Sequence, residues 1–406
     1  MTKRFFIGLS SGSSLLGVDA ALVRTEGIGS GMSLHLEHFH HAPFGNELRE
    51  LLLRVTTNPT AEIRHLGALH RVLAENFALA VKHLLEQSRT PAQQVLCIGC
   101  PGQSLWHDPD GRYPSTLSLG MASVLAERTG LTAVSDFAGR DLALGGQGAP
   151  LSAVVDALLF HRATENRVVL HLGSVASVVA LPTQLGANWR GIVGFEAAPC
   201  TMLLDGLMRM LTQGREPFDA GGKHAVQGRC LEPLLERWLQ NHYFARRPPK
   251  CVPRSEFGID FLNRAIEQAK RVEGNLHDVL CTMTHFAARS IVHAVRTWLP
   301  CKPTRILLSG RGVRNGFLWH LLEQQLSPLP LEKTDAHGIP AEARQAAAHA
   351  GLAALSVDGV PINLPAVTGA SGQRVLGQFT PGQRDNWARC LAWMARQTAP
   401  LQTAAA

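Results

Sequence analysis

Apolar residues run from Phe5 to Leu9 and again from Val18 to Arg24, then alternate with polar ones from Ser33 to His41. Short runs of this kind, parted by a Ser/Gly turn over Ser10 to Gly17, predict an antiparallel hairpin opening a sheet. From Thr60 the spacing changes. Ile63, Leu66, His70, Leu73, Phe77, Ala80 and Leu84 recur every three or four residues, which predicts a long amphipathic helix. Val95 to Ile98 predicts a buried strand, and helices are expected over 120–129 and 151–161. The pattern then restarts. Arg167 to Leu172 and Val175 to Leu181 read as strands around a Gly173-Ser174 turn. A long helix follows over Leu276 to Leu299, then a strand Arg305 to Leu308, a glycine turn and a helix from Asn315. Strand, glycine turn and strand, twice, predicts two similar α/β lobes with polar turns converging on a cleft. The expected division is 1–150 for the first lobe and 151–365 for the second. Residues 366–397 are expected to pack back on the first lobe, and 398–406 to form a disordered tail.

Composition narrows the class. With 406 residues, 45% hydrophobic and 17% charged, the chain has ample material for a core and is no disordered polymer or fibre. Apolar runs are broken within about a dozen residues, short of the ~20 that span a bilayer, so no membrane partner is expected. The formal charge of +7 raises a nucleic-acid reading. The basic residues are scattered, and the densest group, Arg246, Arg247, Lys250 and Arg254, belongs to no recognisable binding module, so that reading is set aside. Eight cysteines with one C-x-x-C, Cys97 and Cys100, give no second pair for zinc and fit a reducing, cytoplasmic setting.

Four segments carry candidate chemistry. In Ser11-Gly12-Ser13-Ser14, small residues let backbone N–H groups approach an anion, although Ser/Gly turns are common. Ser309-Gly310-Arg311-Gly312 follows a strand and opens a helix, a context suited to phosphate or simply to a tight turn. Asp136, Arg140 and Asp141 precede a glycine-rich loop, Gly145 to Pro150, and suit a polar ligand or a salt-bridged turn. Glu196 at a strand end is a candidate general base. His38, His40 and His41 read as a surface strand, and His171 as a satisfied core histidine.

These segments, in this order, resemble the anhydro-N-acetylmuramic acid kinase family from about residue 5 to about 380. The family's S-G-T-S-M-D-G-V-D stands here as Ser11 to Asp19, its H-G-Q-T-x-x-H-x-P as Pro101 to Pro109, and its G-F-D-T-G-P-G-N-M-L-L-D as Gly194 to Asp205. The D-F-R-x-x-D…G-G-Q-G-A-P-L block is nearly intact at Asp136-Phe137, Arg140-Asp141 and Gly145 to Leu151. Asp219 to Gly222, Pro248-Pro249-Lys250, Gly338-Ile339-Pro340 and the segment from Asn363 also match. The resemblance implies an actin/hexokinase-like α/β fold of two RNase-H-like lobes, ATP with Mg2+ in the cleft, a small-molecule sugar substrate and a homodimer. It implies Glu196 as the catalytic carboxylate that activates water. Gly12, Ser13, Ser14, Gly173, Ser174, Gly310, Arg311 and Gly312 would face nucleotide and phosphate. Gln103, Asp136, Arg140, Asp141 and Gln147 would face sugar, and no residue is assigned to a metal.

The sequence departs from the family where chemistry is expected. Leu16 replaces an aspartate, and Glu196 replaces the catalytic aspartate, adding a methylene. Ala197-Ala198-Pro199-Cys200-Thr201 replaces T-G-P-G-N, Gly173 to Ser177 replaces G-G-I-A-N, Arg311 replaces a glycine and Gln345 a glutamate. Three readings stand open: an active sugar kinase, a non-catalytic pseudokinase that binds sugar or a partner protein, and ring opening without ATP.

Overall fold

The computed structural model describes residues 3–12, 14–57 and 60–398. Its strands, in chain order, begin with β1 (Lys3–Ser10), β2 (Gly17–Glu26), β3 (Ser33–Pro43) and β4 (Val95–Gly99). Next come β5 (Gln103–Asp108), β6 (Ser115–Leu119) and β7 (Thr132–Ser135). The second half holds β8 (Arg167–Leu172), β9 (Val175–Leu181), β10 (Val193–Pro199), β11 (Arg305–Ser309) and β12 (Leu331–Lys333). Last is β13 (Gln378–Thr380).

Two sheets share one topology. The first has the order β13-β7-β4-β1-β2-β3 and the second β10-β9-β8-β11-β12. In each, three antiparallel strands form a meander and two further strands extend the sheet parallel to the first of them, and the first sheet adds a sixth strand, β13, antiparallel to β7. That is the doubled RNase-H-like arrangement of the actin/hexokinase-like fold. The alternation in the sequence sets which side of each sheet a residue serves. Phe6 and Val169 point to a core shared between the sheets, whereas Ile7 and Leu170 point to outer cores. Helices Ala153–Phe160 and Arg344–Val357 run through the shared core, so five layers result: helices, sheet, helices, sheet, helices.

The long helix Leu276–Trp298 starts where Asn275 and Asp278 form a reciprocal capping box, each side chain accepting from the other residue's backbone N–H. The hairpin β5–β6 was not foreseen, because its alternation is short and mostly polar. Helix Arg384–Thr398 lies on the first sheet: Asn386 accepts from the backbone N–H and hydroxyl of Thr132, both at 2.7 Å, and donates to Leu96 O at 3.1 Å. Of the expected tail over 398–406, Thr398 ends this helix and 399–406 lie outside the described residues. Among the described residues no helix is long and apolar enough to cross a membrane.

Candidate active site in the cleft between the sheets

The first turns of both sheets open onto a single cleft of about 1080 Å³. Its walls carry Gly12 and Ser14 from the β1–β2 turn, Gly173 and Ser174 from the β8–β9 turn, and Gly310 and Arg311 after β11. Gln103, Asp136 and Glu196 line the same space. Gly312 faces a small adjoining cavity with Leu16, Asp205 and Asn315. Ser13 lies outside the described residues.

Glu196 reaches the cleft because β10 slips register against β9 between Glu196 and Ala198. Such a bulge inserts one unpaired residue and re-aims its neighbour. Three bonds then fix the residue. Its N–H donates to Lys250 O at 3.1 Å, its carbonyl accepts from the buried Tyr243 hydroxyl at 2.5 Å, and Oε2 accepts from Val252 N–H at 2.7 Å. Oε1 is left for the cleft.

His107 Nε2–H donates to Gln147 O at 2.9 Å, and burial, together with the charge of Arg254, lowers its pKa against the pull of Glu196. It therefore stands neutral beside the carboxylate. His171 and His349 also line the cleft, and burial pushes them down to about 3 and about 4. His349 Nδ1–H donates to Leu9 O at 2.6 Å and its Nε2 accepts from the Gln345 amide at 3.1 Å. His107, His171 and His349 thus stand neutral on the cleft wall at pH 7, and its arginines among the described residues are Arg254 and Arg311.

The phosphate-side turns are shaped by close approach. Gly310 has φ +87°, and a Cβ there would lie 2.6 Å from Leu172 O. A Cβ at Gly173 would lie 2.9 Å from His171 Nε2. The N–H groups of Cys200 and Met202 donate to Ser174 O and that of Thr201 to Gly173 O, so the start of helix Thr201–Thr212 is spent on the turn. Arg311 crosses the cleft: Nη2 donates to Asp19 Oδ1 at 2.7 Å, and His41 Nδ1 lies 2.8 Å from both groups. His41, on the strand β3 that was expected, thus touches two residues of the cleft wall.

Three residues expected to face sugar are held elsewhere. Asp141 is fully buried, and its carboxylate accepts from Gly148 N–H, Asn363 and Thr368. Gln147 donates to Asp110 at 2.9 Å and accepts from Cys251 N–H at 2.9 Å. Arg140 donates to Val375 O at 2.7 Å. Of the three, Asp141 serves the glycine loop itself, taking the Gly148 N–H, because a loop built from glycines needs partners for its backbone groups, whereas Arg140 and Gln147 tie the loop and its flank to Val375, Asp110 and Cys251. Sequence reasoning missed His107, although it sits in the Pro101 to Pro109 block. It also passed over Arg254, which was set aside with the basic group around it. The available signal was the position of Arg254, four residues after Pro248-Pro249-Lys250.

Asp205 is buried beside the small cavity and desolvation lifts its pKa to about 7, opposed by Arg209. Among the described residues no group of three or more His, Cys, Asp and Glu side chains is placed to hold a metal.

Compared with known proteins, residues 4–382 match the anhydro-N-acetylmuramic acid kinase family. A protein of that name from Synechococcus elongatus is 38% identical over 375 residues, covering 91% of this chain and 98% of its own. One from Gloeobacter violaceus is 37% identical over 383 residues, covering 94% and 100%.

Proposed function

The chain belongs to the anhydro-N-acetylmuramic acid kinase family, and on that premise we propose that it phosphorylates a 1,6-anhydro amino sugar with ATP, with Glu196 as the base. The observation that carries this reading is the fixed Glu196 carboxylate facing the same cleft as the glycine turns of both lobes. In the proposed reaction Glu196 Oε1 takes a proton from water. The water oxygen bonds to C1 of the sugar and the C1–O6 bond breaks. O6 takes the γ-phosphoryl group, and ADP leaves. The Val252 N–H holds the carboxylate and the Tyr243 hydroxyl holds the backbone carbonyl of the same residue, which supports general-base catalysis without reorientation.

The cleft suits a nucleotide in size and in its turns. Gly12, Ser14, Gly173 and Gly310 leave backbone close to the cavity, and Arg311 would hold the phosphates. Mg2+ prefers one or two carboxylates with water and substrate phosphates. Asp19 and Asp136 are the carboxylates on the first-lobe wall that suit such an ion, which would neutralise phosphate charge when bound. Leu16 offers no ligand.

The test is incubation of the protein with Mg2+, ATP and 1,6-anhydro-N-acetylmuramic acid. The expected product is the ring-opened sugar with phosphate on O6, identified by mass and phosphorus spectra. Absence of that product sinks the reading. It would favour the second one, a non-catalytic binder, which rests on Leu16 and on the engagement of Asp19 by Arg311.

Arg311 has its own test. A charge-assisted bond contributes about 1.5–3 kcal/mol, so Arg311→Gly should weaken ATP binding at least tenfold in calorimetric titration. Tighter binding by the variant would show instead that the arginine bars the nucleotide.

A further inference from the structure

We infer that Arg254 is the residue that selects an acidic sugar, by pairing with a carboxylate borne on the substrate. The inference rests on the proposed sugar-kinase reading and deepens it. Arg254 is half-buried and lines the cleft together with Glu196 and His107. Of the two arginines there, Arg311 is bound to Asp19, whereas Arg254 has no carboxylate or hydrogen-bond partner among the described residues. Glu342, another acid of the cleft wall, is taken by Arg314.

The chain segment explains why this cation stands without a partner among the described residues. Lys250 is buried, stacked near the Tyr243 ring, and donates to Tyr243 O at 3.0 Å. Arg246 pairs with Asp110 in a two-bond contact. Val252 holds Glu196 Oε2. Arg254, two residues on, is carried by the same segment to the wall where the catalytic carboxylate sits, and its charge is felt by His107. A guanidinium left unpaired on a half-buried wall beside a neutral imidazole favours an anionic ligand. Its planar fork matches a carboxylate with two parallel bonds. A muramic sugar differs from the corresponding glucosamine in carrying such a carboxylate.

The experiment is calorimetric titration of the full chain with 1,6-anhydro-N-acetylmuramic acid and with neutral 1,6-anhydro-N-acetylglucosamine. Wild type, Arg254→Gln and Arg254→Lys are compared, with phosphorylation of each sugar measured in parallel. Wild type should bind the acidic sugar at least tenfold tighter than the neutral one. Arg254→Gln should lose that preference by weakening the acidic sugar alone, and Arg254→Lys should recover part of it. Equal weakening for both sugars, an unchanged preference in Arg254→Gln, or no binding of the acidic sugar by wild type overturns the inference. Should Arg254→Gln fail to fold, the lysine variant reads the same comparison. A retained, Arg254-dependent preference without any phosphorylated product would sink the kinase reading and leave the carboxylate pairing standing.

Discussion

Glu196→Gln should lower kcat for sugar phosphorylation by about a thousandfold, in the range found when a positioned general base is removed. The amide keeps the size of the side chain, and its oxygen can still accept from Val252 N–H, so the bulge in β10 and the cleft wall should stay as they are. Sugar affinity should therefore change by less than about threefold, because the base acts on water and not on the ground-state sugar. A pre-steady-state assay with saturating sugar separates the two quantities. Wild-type-like turnover would exclude Glu196 as the base. A loss confined to KM would make it a sugar-binding group. Glu196→Asp is the companion variant. It restores the family's shorter acid but moves the carboxylate away from Val252, and a displacement of roughly 1 Å can cost about a hundredfold.

The second large effect is on stability. Arg344 and Asp156 are 1% and 0% exposed and face each other in the core between the sheets, with Arg344 also donating to Ser152 at 2.9 Å. Burial pushes the Asp156 carboxyl up, and the Arg344 guanidinium opposes that shift. Asp156→Ala would leave a buried guanidinium without its counter-charge, which costs about 3–5 kcal/mol. The expected result is a clear fall in the denaturant midpoint. Asp156→Leu combined with Arg344→Met should recover most of it, since two apolar groups leave no orphan charge. A single variant within about 0.5 kcal/mol of wild type would show that the pair is dispensable. The effect should reach the cleft as well, because Arg344 Nη1 donates to Gln345 at 3.0 Å and Gln345 in turn touches His349.

Much of the fold was readable because periodicity reports burial directly. The hairpin at each lobe's start, the strand Val95–Gly99 and the helix Leu276–Trp298 follow from which positions are apolar. The short edge strands β12 and β13, three residues each, leave no such trace, since their pairing is set by neighbours distant in sequence. The site divides in the same way. Glu196, Gly173 and Gly310 lie on the cleft wall, and they stood out in the sequence because a strand end and a glycine turn are local features. Asp141 and Gln147, expected to face sugar, are engaged by other protein groups, and a polar residue in or beside a glycine-rich loop looks the same in sequence whether it meets a ligand or the protein itself. Arg254 was overlooked because the proposed role depends on its neighbours: Lys250 and Arg246 are engaged, and Arg254 has no such partner among the described residues.

The return of β13 and the helix Arg384–Thr398 to the first sheet has a consequence for synthesis. β7 leaves the ribosome early, yet its edge partner β13 comes after the whole second lobe. At ordinary translation rates that interval is on the order of ten seconds or more. The second sheet, contiguous from β8 to β12, can close first. The first-made lobe is then the last to finish, and for that time it presents an open strand edge of the kind that chaperones shield and neighbouring nascent chains can join.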